Sequence, residues 1–128
     1  MTFNPVAALN VIECKNLIHD KNPKAIDLGS QTASINSDFL LNLINNNTSL
    51  KILQKQNLGK LSNKKNFSTK EYFHSIGFKD YVSIDINGAY ESLQFDLNKD
   101  IFKKYNFNKK YDLVINNGTG EHVFNQYA

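Results

Sequence analysis

The chain contains no arginine, and all fifteen of its basic residues are lysines. Guanidinium is the group that grips phosphate through two parallel bonds. Its absence, a formal charge of only +3 and the lack of dense basic-aromatic interleaving argue against a nucleic-acid-binding protein. Cysteine occurs once, at Cys14, which excludes an internal disulfide and every multi-cysteine metal site. A lone thiol fits a reducing compartment, and Cys14 itself reads as a small half-buried side chain on a helix. No apolar run approaches the roughly 18 residues a membrane span needs, and the first residues lack the basic region and apolar block of a signal peptide. A cytoplasmic location with no membrane partner is expected.

What is present suffices for one domain. A chain of 128 residues, 41% of them hydrophobic, buries roughly two-thirds of its unfolded surface. Asparagine fills about one position in seven, diffusely, and reads as genomic base composition rather than as a disordered tract. Val6, Leu9, Val11, Ile12 and Leu17 fall at helical spacing over 5–18, and Lys21-Asn22-Pro23 breaks that segment. A short apolar strand follows at 24–28. Ser37 or Asn36 then caps a helix that carries Phe39, Leu40, Leu43 and Ile44 on one face and ends in Asn45-Asn46-Asn47. Residues 48–66 scatter lysines among Leu50, Ile52, Leu53, Leu58 and Leu61, a pattern that fits a strand, a helix or a flap. Segment 68–76 has the capping-box spacing Ser68 to Glu71 and stops at Gly77. Beyond it come a strand at 81–84, a turn at Asn87-Gly88, a third strand to Phe95, a short helix over 98–105 capped by Asn98 or Asp100, and a last strand at 111–116.

The strand ends carry the chemistry. KAIDLGSQ (24–31) runs from an apolar strand into an acid, a glycine and a small polar turn, which lets backbone approach a ligand bearing hydroxyl or amino groups. YVSID (81–85), ESLQFD (91–96) and YDLVINN (111–117) repeat the pattern, each stopping at an acid or amide. Strands that alternate with helices argue for a parallel sheet whose ligands bind beyond the strands' carboxyl ends.

In their order and wording these segments, over 24–126, resemble the class I S-adenosylmethionine-dependent methyltransferases. AIDLGSQ is similar to the first motif of that family, SIDING to the second, QFDLN to the third and YDLVINNGTGEHV to the fourth. The resemblance implies a Rossmann-like three-layer α/β sandwich with a mostly parallel sheet, strand order 3-2-1-4 and helices on both faces. It implies S-adenosyl-L-methionine as a small-molecule cofactor, with Asp27, Gly29, Ser30 and Gln31 near its amino acid portion. Asp85, with Ile86, would accept both ribose hydroxyls, Asp96, with Leu97, would meet the adenine amino group, and Asn116 and Asn117 would line the site beside the transferred methyl. The family's sheet has seven strands where this sequence offers four. Residues 1–128 are therefore expected to be a single partial domain, a fragment holding the cofactor-binding half, with 48–66 as an insertion or flap and with 111–116 as an exposed edge open to pairing.

Elementary chemistry supports these assignments. One ionised carboxylate accepts from two adjacent hydroxyls, and the adenine amino group is likewise a donor. Acids at three strand ends would repel a pyrophosphate. Glu121 and His122 are the only candidate acid or base near the methyl; methyl transfer needs alignment first, and a base only when the nucleophile carries a proton. Packing the first turn of a helix after Gly120 is an equally good role for His122. His19 and His74 have no partners at metal-ligand spacing, so no metal is expected. Two other readings stay open: a nicotinamide-dependent oxidoreductase, against which Gln31 stands where a dinucleotide fingerprint has a glycine, and a non-catalytic interaction module. The methyl acceptor is not legible.

Overall fold

The computed structural model, which describes residues 2–29 and 32–117, begins with a two-residue strand, β1 (Thr2–Phe3), and a helix, α1 (Pro5–Leu17). Asn4 starts that helix: its side chain accepts from the Ala7 N–H at 2.9 Å, and Pro5 occupies the first turn, where a missing N–H costs nothing. After the break at Pro23 come β2 (Lys24–Leu28) and a second two-residue strand, β3 (Thr32–Ala33), which pairs in parallel with β1. Asn36, not Ser37, caps α2 (Ser37–Asn46) by accepting from the Phe39 N–H. Of the three possibilities for 48–66 the chain takes the helix, α3 (Ile52–Ser62), with Leu58 and Leu61 in the core.

The capping box forms as its spacing requires. Ser68 Oγ accepts from the Glu71 N–H and Glu71 accepts from the Ser68 N–H, opening α4 (Thr69–Ser75). Gly77 takes φ +106°, a left-handed value that turns the chain into β4 (Asp80–Ile84). Asp100 caps α5 (Ile101–Tyr105), and β5 (Leu113–Ile115) closes the described sheet.

The sheet has three parallel strands in the order β4-β2-β5, with Ile26 opposite Val82 on one side and Val114 on the other. The expected four-stranded order 3-2-1-4 is not matched, because 91–96 does not form a strand. Gly88, Tyr90 and Glu91 all have positive φ, at 67°, 55° and 60°, and a left-handed residue cannot belong to an extended ladder. Ala89–Glu91 makes a short 3-10 turn, and the chain then meets β4 through one parallel bridge, Ile84 to Leu93.

Pleating divides the sheet into two unequal faces. Ala25 and Tyr81, with Leu113 and Ile115 packed beside them, join Phe3, α1, α2, α3 and α4 in a single core. At its centre Phe73 meets Phe3, Phe78 and Tyr81 with ring centroids 4.6–5.5 Å apart. Tyr72 is buried beside them and donates to the Ala8 carbonyl at 2.8 Å, tying α4 to α1. On the other face Ile26 and Ile84 are buried outside that core, while Val114 remains 58% exposed. Cover by helices is thus uneven between the faces.

Candidate functional site

Parallel pairing puts the ends of β2, β4 and β5 on the same edge of the sheet, and hydrogen bonds draw the segments that leave β2 and β4 together. Gly29, buried and at φ +112°, donates its N–H to the Ile84 carbonyl at 2.7 Å. Only glycine adopts that φ without strain, so the turn after β2 lies against the residue that precedes Asp85. Asp85 donates its N–H to the Leu93 carbonyl at 2.9 Å, and Leu93 donates to the Ser83 carbonyl at 2.8 Å. These bonds anchor the segment that leads to Asp96.

Both acids are preset in tight turns. Asp85 Oδ1 accepts from the Asn87 N–H at 3.2 Å, and its carbonyl accepts from Gly88. Asp96 Oδ1 accepts from the Asn98 N–H at 2.9 Å and from its side-chain amide at 3.2 Å. The backbone N–H of Asn98 is the main reason the Asp96 carboxyl sits below its usual pKa, helped by Lys99 and Lys104. Behind it Tyr105 Oη accepts from the Asp96 N–H at 2.8 Å, and the Tyr105 ring stacks on Phe95 at 4.2 Å. Ile86 is exposed and Leu97 half-buried on the same loops, and Asn116 and Asn117 follow β5 directly.

Asp27 is a different kind of residue. It lies inside β2 on the core face, fully buried, and accepts from Tyr81 Oη at 3.0 Å. Burial and the Asp27 charge push the Tyr81 hydroxyl far above its ordinary pKa, so it remains a donor. Ser30 and Gln31 from the first motif, and Glu121 and His122 from the fourth, lie outside the described residues.

Sequence reasoning missed one cleft. About 240 Å³ in volume, it is lined by Thr69 and Lys70 from the start of α4, Tyr81 and Ser83 from β4, and Tyr90 and Glu91 from the left-handed turn. Register gives part of the signal, since Ser83 stands opposite Asp27 on the core face. Lys70 reaches Glu91 at 3.8 Å across its mouth. Among the described residues no group of three His, Cys, Asp or Glu side chains is placed to hold a metal ion. No helix among them is long and apolar enough to cross a membrane.

Comparison with family models, curated proteins and solved structures finds no match to this chain. Two carboxylates set in tight turns, Asp85 and Asp96, are carried on the chain that follows β4, and Asp85 comes directly after the Ile84 carbonyl that Gly29 bonds. Such an edge suits a ligand rich in hydroxyl and amino donors and repels phosphate.

Proposed function

We propose that this protein binds S-adenosyl-L-methionine at the carboxyl edge of its sheet and serves methyl transfer to an acceptor that its sequence does not identify. The observation that carries the reading is the hydrogen-bonded chain from Gly29 through Ile84, Asp85 and Leu93, which brings the first three motif segments side by side. In this reading the segment 91–96, held by the Ile84–Leu93 bridge, stands where the outer strand of a Rossmann-like 3-2-1-4 order would lie. The acceptor set fits the cofactor: Asp85 accepts from the ribose hydroxyls, and Asp96, kept ionised by Asn98, accepts from the adenine amino group. When bound, the cofactor supplies an electrophilic methyl group on a sulfonium. The chain's own part is to orient it and to leave room at Gly29, with Asn116 and Asn117 beside the methyl and Glu121 and His122 as the acid and base candidates. Asp27 acts indirectly, by fixing Tyr81 beneath the site. The reading carries with it a cytosolic location, where the Cys14 thiol stays reduced.

A second reading is favoured by one observation. Among the described residues β5 pairs only with β2, and Val114 is 58% exposed, so the sheet could serve an interaction module that adds a partner's strand. Calorimetry separates the two. S-adenosylhomocysteine should bind while NAD does not, and Asp85→Ala should remove about 2–4 kcal/mol, the worth of one or two charge-assisted hydrogen bonds. Absence of binding, or equal binding to Asp85→Ala, leaves the interaction module as the better account.

A further inference from the structure

A second cleft opens at the opposite edge of the sheet, where the chain enters β2 and β4. It holds about 400 Å³ and is lined by Lys15 and Asn16 near the end of α1, His19, Asp20 and Lys21 from the following loop, and Lys51 and Gln54 at the start of α3. Three lysines and one acid thus line it. The ion pairs among the described residues are Lys64–Glu71, Lys70–Glu91 and Lys103–Asp100, none of which involves the cleft. Asp20 accepts from the Asn22 N–H at 2.8 Å, so its carboxylate is turned to its own loop.

The walls of this cleft are built. Gln54, buried to 8% exposure, donates to the Ile76 carbonyl and accepts from the Lys51 N–H at 2.8 Å, which locks the start of α3 to the end of α4. The stem of Lys15 lies over Gly77, where a Cβ would come within 3.2 Å of its Cε. Lys51 occupies the N-cap of α3, a place usually held by Ser, Thr, Asp or Asn, and the first turn of that helix has no acid. A cation at the positive end of a helix dipole, close to a second cation, breaks the local rule, and no ion pair among the described residues neutralises it. Burial and the charge of Lys51 both lower the Lys15 pKa, as expected for ammonium groups held close together.

We propose that the cleft between α1 and α3 binds the phosphate or diphosphate group of a small molecule through Lys15, Lys51 and Lys21. A dianion matches the unneutralised charge better than a monocarboxylate does. Lysine serves as a point-charge phosphate ligand even where arginine is absent. Nucleic acid is the poorer occupant, because none of the lining residues is a Phe or Tyr on which a base could stack. The site is remote from Asp85 and does not depend on the methyl-transfer reading.

Titration calorimetry with inorganic phosphate and with pyrophosphate, at constant ionic strength, tests the proposal on the full chain. Pyrophosphate should bind saturably at one site and more tightly than phosphate. Lys15→Gln and Lys51→Gln should each weaken it about tenfold, the loss of one charge-assisted contact, whereas Lys103→Gln should change it less than twofold. In amide NMR spectra pyrophosphate should shift Gly77 and leave Asp85 in place. No saturable binding, equal weakening by Lys103→Gln, a shift at Asp85 instead of Gly77, or binding of a single-stranded RNA oligonucleotide without binding of pyrophosphate would each overturn it.

Discussion

Tyr81→Phe removes one oxygen from the molecule and isolates the contact that holds Asp27 in the core. The lost bond, 3.0 Å long and buried, is made to a carboxylate with no exposed surface. Hydrogen bonds to charged groups contribute about 1.5–3 kcal/mol, and the ring of Tyr81 stays against Phe73, so packing is unchanged. With a urea slope near 2 kcal/mol/M for a domain of this size, the unfolding midpoint should fall by about 1 M with the slope preserved. Alkaline pH supplies an internal control. Tyr81 has a folded pKa far above the value of 10 it regains on unfolding, so its contribution is complete below pH 10 and declines as pH rises. The variant lacks that group, so the gap between the two proteins should shrink by about 1.4 kcal/mol at pH 11. Tyr72, also raised by burial, declines equally in both and cancels. A loss under 0.5 kcal/mol at pH 7, or a gap that widens with pH, refutes the assignment.

Three further changes probe other parts of the account. Ser68→Ala breaks the capping box of α4 and should cost about 1 kcal/mol in urea unfolding, with the spectrum of the native state unchanged. Gly77→Ala forces a side chain into φ +106° and against Lys15, so a loss of about 1–3 kcal/mol is expected, read as a lower thermal midpoint. Tyr105→Phe withdraws the acceptor of the Asp96 N–H and should weaken S-adenosylhomocysteine about three- to tenfold by calorimetry while leaving pyrophosphate binding unaltered.

Local rules made much of the fold legible. Asn4, Asn36 and the Ser68–Glu71 pair start helices because each supplies an acceptor for unpaired N–H groups, and the sequence displays them. The start of α3 was harder to read because a lysine stands at its cap, and its apolar residues are unevenly spaced: Ile52 and Leu53 are exposed while Leu58 and Leu61 are buried. The run ESLQFD reads as a strand by composition, yet Tyr90 just before it and Glu91, its first residue, adopt positive φ, which composition does not signal. The two-residue strands β1 and β3 are too short for any period to register. At the site, Asp85, Asp96 and Gly29 were visible because each directly ends or follows an apolar run. Asp27 stands inside its strand, opposite Ser83 and two residues short of the level of Asp85, on the face that the pleat turns into the core. Neither cleft is legible in the sequence, because its residues come from separate segments that only the fold brings together.

In the methyl-transfer reading, loops from successive strand ends form one adenosyl-binding edge. Amide NMR during titration with S-adenosylhomocysteine tests it most directly: Gly29, Asp85 and Leu97 should shift together with a single dissociation constant while Gly77 stays fixed. Shifts confined to other surfaces, or no shift at any of the three under millimolar ligand, would contradict it.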